Sequence, residues 1–331
     1  MKRIISIILI CTLTLCLLSA CSTNHGEAKL SNANADDTTK QIYEYIKSVY
    51  GTNILTGQQE STWMDDGNVD YEMDFIENTT GKLPAIRGLD FMNDDFDGVV
   101  ERAKDWWNKG GLVTICWHCS CYYTESWDAC MNSEVSDWDD LFNENSDEYA
   151  DMLRGMDKAA KALKQLQDAG VTVIWRPFHE FDGAWFWWGK GGADNFKKLW
   201  QTMYDRYTNY WGLNNLIWVL GYSHNGNNMA KWYPGDEYVD IAGADSYDGG
   251  SCVSLYKSVV KVVGDKMPVV FHECGSNPTV AQLQNDGAGW AWFMTWHTEW
   301  LTDNNSKTKL NELYNSEYAI TLDELPSFTK E

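Results

Sequence analysis

Positive charge is scarce in this chain. Its 331 residues carry 26 Lys+Arg against 48 Asp+Glu, a formal net charge of −22, so a long phosphate backbone would be repelled and nucleic acid is excluded as a partner. No glycine-rich phosphate fingerprint follows the first strand-like run, which removes the usual signal for a dinucleotide-binding open sheet. There is no internal repeat, and no Pro- or Ser-rich linker divides the body, so one large domain suits the length. The cluster Cys116-Trp117-His118-Cys119-Ser120-Cys121, with Cys130 nearby, lacks the second spaced ligand pair that makes a structural zinc signal strong. A local disulfide or free buried thiols are the better readings of those cysteines.

What is present is apolar and aromatic. A hydrophobic content of 44% is ample for a sizeable core and excludes disorder over most of the chain. Eighteen Trp, with 17 Tyr and 11 Phe, supply more rigid aromatic surface than such a core needs. That surplus suits a flat, uncharged, polyhydroxylated ligand on which aromatic faces stack.

Residues 1–20 read as an export signal: Lys2 and Arg3 give a basic start, and Ile4 to Leu18 is an apolar run too short for a comfortable membrane span. The run closes on Leu18-Ser19-Ala20-Cys21, which resembles the bacterial lipobox. The resemblance implies lipid attachment at Cys21 and a place on the outer face of a bacterial membrane; the alternative is an ordinary cleaved signal and secretion. Residues 21–38 are small, polar and aperiodic, as a flexible tether would be, and the folded body is expected over 39–331.

Periodicity organises the body. Asn53–Gly57, Leu83–Asp90, Leu112–His118, Val171–Pro177, Leu216–Gly221, Val239–Asp245, Met267–His272 and Trp290–Trp296 read as strands. Amphipathic helical stretches lie between them, among them Asp97–Asn108, Tyr149–Ala169, Asp194–Trp211 and Ser251–Val263, each followed by Gly or close to one. Eight strands with eight crossovers predict a closed parallel (β/α)8 TIM barrel, with a doubly wound open sheet as the alternative.

In such a barrel the chemistry collects where the strands end. The fourth strand ends in Trp175-Arg176-Pro177-Phe178-His179-Glu180-Phe181-Asp182-Gly183-Ala184-Trp185-Phe186-Trp187-Trp188-Gly189, and the seventh in Phe271-His272-Glu273-Cys274. Two strands thus deliver one Glu each to the same rim. Hydrolysis of a glycosidic bond requires such a pair, one carboxyl to protonate the leaving oxygen and one to attack or stabilise the cationic sugar.

At these residues the chain resembles glycoside hydrolase family 26, the clan A barrels best known as β-mannanases. The run Arg176-Pro177-Phe178-His179-Glu180, followed by Gly183 and Trp185-Phe186-Trp187-Trp188-Gly189, carries the likeness. The resemblance implies that Glu180 is the acid/base and Glu273 the nucleophile of a retaining mechanism that needs no cofactor. It also implies substrate contacts from His118, His179, Trp185, Tyr247 and Trp296, and β-1,4-mannan as substrate. Two features depart from it: the Cys-rich segment around His118, and His297 in place of a longer basic side chain after Trp296.

Each of these residues also has a purely structural reading. Glu180 and Glu273 could be buried carboxylates paired with Arg176 or Arg87, His118 and His179 satisfied barrel histidines, and Trp185, Trp187 and Trp188 core. Trp117 and Trp232 are candidates for outer sugar contacts, and the acidic runs 93–97 and 131–151 for solvated surface or a calcium site. β-1,3-1,4-Glucanase and β-1,3-xylanase activities remain open within the same family. A surface lipoprotein that captures glycan without cutting it is the alternative from another class, but it has no use for the two Glu.

Overall fold

A computed structural model describes residues 29–328 other than 124–126, 226 and 265. The leader and Cys21 lie outside the described residues. Within them, no helix is long and apolar enough to cross a membrane.

The strands are β1 (Ile54–Gln59), β2 (Ile86–Asp90), β3 (Leu112–Cys116), β4 (Val173–Arg176), β5 (Leu216–Tyr222), β6 (Ile241–Ser246), β7 (Val269–Cys274) and β8 (Trp292–Thr295). Each pairs in parallel with the next, and β1 pairs with both β2 and β8, so the sheet closes into the expected (β/α)8 barrel. A two-residue strand, β9 (Ala319–Ile320), adds in parallel to the start of β1. Every residue of β1, β3, β5, β6 and β7 is buried. A strand covered by helices outside and by packed side chains inside has no wet face, which is why these segments read as continuous apolar runs.

The helices follow their amphipathic spacing. Phe96–Asn108 buries Val99, Val100, Ala103, Trp106 and Trp107 on one face. Asp147–Asp168 is capped by Ser146, whose side chain accepts the Tyr149 N–H, a contribution of about 1 kcal/mol. The expected helix Asp194–Trp211 is regular only over Ala193–Asp205 and then widens into a π turn at Arg206–Tyr210. There Arg206 forks onto both carboxylate oxygens of Asp157 at 2.9 and 2.7 Å. In the acidic run, Asp137 accepts the N–H groups of Asp139 and Asp140 and so caps a short helix.

The described part of the expected tether is bound to the body. The Ser31 N–H reaches Asp240 Oδ1 at 2.5 Å, Asn32 Nδ2 donates to the Leu213 carbonyl at 3.1 Å, and Asp36 caps the helix Asp37–Val49. Small polar residues suggested a free chain. Here the Asn32 side chain instead satisfies a carbonyl before β5, the Ser31 N–H is taken up by the Asp240 side chain before β6, and Asp36 caps its own helix.

Candidate active site

β4 delivers Arg176 to the barrel interior. Fully buried, its guanidinium donates through Nη1 to Glu273 Oε1 at 2.7 Å and through Nη2 to Asp245. A Cβ on Gly221 of β5 would stand 2.8 Å from Arg176 Nε, so the guanidinium fits only beside glycine. Burial opposes its charge, but Asp245 and Glu273 outweigh this and hold it protonated.

Beyond Arg176 the chain turns through left-handed backbone at Phe178, Glu180 and Ala184, with φ of 51°, 53° and 58°. Non-glycine residues pay on the order of 1–3 kcal/mol for this, so the turn must be held from outside. The Glu180 N–H donates to the Gly221 carbonyl at 2.7 Å, and Trp188 Nε1 to the His179 carbonyl at 2.7 Å. Trp187 and Trp188 are therefore buried supports of the loop. Trp185 is different: partly exposed, it donates from Nε1 to Glu180 Oε2 at 2.9 Å. Its indole lies over Gly183, where a Cβ would come within 2.0 Å of Cζ3.

Across the rim, β7 places Glu273 through a slip in register. Ala244 pairs with Phe271 but Asp245 with Glu273, so two residues of β7 oppose one of β6. Such a bulge re-aims the side chains beyond it. His272 reaches Thr114 Oγ1 at 3.1 Å, and the next residue, Glu273, reaches Arg176. Glu273 also accepts the Tyr247 hydroxyl at 2.8 Å, and its own N–H donates to Asp245 Oδ1 at 3.1 Å. Burial and the neighbouring Glu273 charge push Tyr247 well up, so this phenol stays a donor.

One carboxylate oxygen from each of Glu180, Asp245 and Glu273 lies within 4.8 Å of the other two. Burial first, and then the Glu273 charge, push Glu180 up to about 7, with Arg176 and the Trp185 hydrogen bond opposing. His179 is buried with Nε2 3.7 Å from Glu273 Oε1; burial, Arg176 and His118 press it well below its ordinary value, so it is neutral. His118 stands edge-on to His179, ring centroids 4.5 Å apart, and its Nδ1 meets Asp90 Oδ2 at 2.5 Å. A cavity of about 370 Å³ opens beside it, lined by Gln59, Trp63, Asp90, His118, Trp127 and Trp296. Trp296 is half-buried there, 6.2 Å from the His118 ring.

Among the described residues, two groups of side chains bring three metal-donor atoms together, Glu180/Asp245/Glu273 and Asp90/Cys116/His118. Neither reads as a metal centre. In the first, Arg176 already bonds two of the carboxylates. In the second, Asp90 and His118 close on each other at 2.5 Å, nearer than the roughly 3.3 Å that a tetrahedral ion with bonds of about 2.0–2.1 Å would impose.

Several expectations are corrected. Trp117 is 2% exposed, packs on Phe96 and Tyr123, and is not an outer contact. Trp232 is partly exposed and packs with one side against Phe181 and Phe196 at the edge of the core. Arg87 pairs with Glu60 and Asp70 and reaches neither central Glu. Of the two readings of the cysteine cluster, free buried thiols is the one found: Cys116, Cys119, Cys121 and Cys130, like Cys274, are free and buried, and Cys252 is free and partly exposed. Sequence reasoning gave no role to Asp245 or Asp90, although each is an acid at a strand end on the active rim. It also missed Trp63, Trp127 and His224, the last stacked at 14° on Trp185 with centroids 5.9 Å apart.

The sequence profile of Glycosyl hydrolase family 26 matches residues 31–324. The chain belongs to that family. Among its relatives is a mannan endo-1,4-beta-mannosidase of Thermothelomyces thermophilus, 36% identical over 89% of this chain and 63% of that protein. Mannan endo-1,4-beta-mannosidase B of a Piromyces species is 34% identical over 90% of this chain and 54% of its own length. The chain thus spans roughly half to two thirds of these two curated relatives. A ruminal family 26 endo-beta-1,4-mannanase superposes with a TM-score of 0.85 at 32% identity, covering 91% of this chain and 71% of the other. A beta-mannanase from a symbiotic protist of the termite Reticulitermes speratus, complexed with gluco-manno-oligosaccharide, gives 0.83 at 30% identity, covering 91% and 98%.

Proposed function

We propose that this family 26 protein is a retaining endo-β-1,4-mannanase. The observation that carries the reading is the pair Glu180 and Glu273, whose nearest oxygens are within 4.8 Å in one buried rim site. Retaining glycosidases hold their carboxyl groups about 5–5.5 Å apart, whereas inverting enzymes need several ångströms more for a water. The relatives named as mannan endo-1,4-beta-mannosidases support the choice of substrate.

The mechanism follows from the hydrogen bonds. Glu273, neutralised by Arg176 and steadied by Tyr247, attacks the anomeric carbon, while Glu180 gives its proton to the departing oxygen. A covalent glycosyl-enzyme results, with the configuration inverted once. Glu180, now a carboxylate, then takes a proton from water, which displaces Glu273 and restores the β configuration. Neutral His179 beside Glu273 adds no positive charge of its own to compete with Arg176.

Parallel digestion of galactomannan, glucomannan, lichenan and β-1,3-xylan with product sizing tests the substrate. Internal cleavage of both mannans is expected, giving mixed oligosaccharides; full activity on lichenan with none on mannan would overturn the choice. A glycan-capturing protein would release no reducing ends from any of them.

The leader supports export and lipid anchoring at Cys21 as part of this reading. Cys21→Ser should move the protein from the detergent phase to the aqueous phase in a partition assay of expressing cells, and an unchanged distribution would remove the anchor.

A further inference from the structure

The closest polar contact of His118 is to a residue that the chemistry described so far does not use. Asp90 ends β2, and its two oxygens are fully engaged. Oδ1 accepts the main-chain N–H of His118 at 3.0 Å and that of Met92 at 2.9 Å, while Oδ2 meets His118 Nδ1 at 2.5 Å. One carboxylate therefore fixes both the backbone and the ring of the same histidine. That histidine is 2% exposed, and its ring stands against His179, Trp127 and Phe186. An aromatic cage alone does not set which way an imidazole turns; a carboxylate on Nδ1 does.

We infer that Asp90 is a positioning residue of the glycosidase centre, holding His118 as a doubly protonated ring that forms a charged wall between the rim carboxylates and the cavity toward Trp296. A carboxylate on Nδ1 makes that nitrogen a proton donor, and such a hydrogen bond strengthens when the ring carries a charge. Charges facing the ring agree with it. Burial is the largest single influence and opposes protonation of His118, but the charge and hydrogen bond of Asp90, together with the Glu273 charge of β7, raise the histidine overall against burial and Arg176 of β4. The other titratable neighbours bring no positive charge. His179 is neutral, burial lowers His297 to about 4, and burial keeps Cys116 a thiol.

This charge has a consequence for Glu180, because a cation at His118 opposes the rise of that carboxyl. Replacing Asp90 by Asn removes the anion that keeps His118 charged, and the acid/base then rises further. The acidic form persists to higher pH, so the alkaline limb of the rate profile moves up.

The inference rests on the glycosidase reading, and its test has an arm independent of turnover. Long-range proton–nitrogen NMR of the histidine rings, with His118 assigned by its loss in His118→Gln, should show both nitrogens of His118 protonated at pH 6.5 in the wild-type protein. In Asp90→Asn that ring should be neutral. Mannan hydrolysis by Asp90→Asn should fall about 10²-fold in kcat/KM, as expected for a misoriented group at the reacting sugar, with the alkaline limb displaced upward. Asp90→Glu, which restores the charge, should restore the doubly protonated ring and part of the rate. A neutral His118 in the wild-type spectrum overturns the inference even if the variants fail to fold. A folded Asp90→Asn with wild-type kcat/KM, or with its alkaline limb unmoved or lowered, overturns it too. Absence of hydrolysis by the wild-type enzyme on every β-glycan would strike the glycosidase reading and leave the ring measurement standing.

Discussion

Glu273→Ala should lower kcat on mannan by a factor on the order of 10⁴–10⁶, the scale of removing a covalent nucleophile. No neighbour can take over. Asp245 is committed to the Arg176 guanidinium and to the Glu273 N–H, and Tyr247 is a protonated phenol. Azide supplied to the variant should restore turnover by entering the space the carboxylate leaves, giving an α-glycosyl azide from a single displacement. The wild-type enzyme should release its first product as the β-anomer, read by proton NMR before mutarotation. An initial α-anomer would make the enzyme inverting and Glu273 a base, while a fluorosugar that labels any other carboxylate would remove Glu273 from the role altogether.

The same mutation should change the local electrostatics in a way that separates chemistry from packing. Glu273 is one of the two main causes raising Glu180, so its removal leaves Glu180 nearer an ordinary carboxylic acid. Azide-rescued turnover should therefore depend on pH with an alkaline limit below that of the wild-type enzyme. Glu273 and Glu180 are thus linked through their charges. Arg176 neutralises the first and restrains the rise of the second, which is why β5 keeps glycine at 221.

The barrel was legible because its physics is periodic. Buried parallel strands leave unbroken apolar runs, and a helix with one covered face leaves its 3.6-residue stripe, so the strand and helix spans could be read directly from residue types. Glu180 and Glu273 were legible for a second reason: an acid set among tryptophans, or after Val269-Val270-Phe271, conflicts with its surroundings and so draws attention. Asp90 and Asp245 carry no such conflict, since an acid after a strand also reads as a helix start or a solvated turn. The predicted barrel already put both on the active rim, but only the structure shows what they bond there, Asp90 to His118 and Asp245 to Arg176. Trp117 failed in the opposite direction. Its neighbours in sequence are cysteines and His118, yet an adjacent residue on a strand end can face outward into the helical layer, as its contact with Phe96 shows.

Glu180→Ala should show a split between substrates. On mannan, whose departing sugar hydroxyl needs a proton, the rate should fall by roughly 10²–10⁴, the usual worth of general acid catalysis. On a 2,4-dinitrophenyl β-mannoside the first step should be nearly unaffected, because that phenolate leaves unaided. The glycosyl-enzyme then accumulates for want of a base, so a burst of phenol is followed by slow turnover. Equal losses on both substrates would sink the acid/base assignment. In the wild-type enzyme, activity on mannan should decline as pH rises through about 7, where Glu180 gives up its proton. Stability carries the same sign. A carboxyl raised by folding contributes its full stabilisation below its unfolded value near 4.5, and that contribution is lost as pH climbs through about 7. Glu180→Gln, which removes the ionisation and keeps an acceptor for Trp185 Nε1, should therefore melt above the wild-type protein at pH 8 and lose that advantage at pH 4. A parallel pair of melting curves would show instead that Glu180 is already ionised in the fold, and the proton donor would have to be sought elsewhere on the rim.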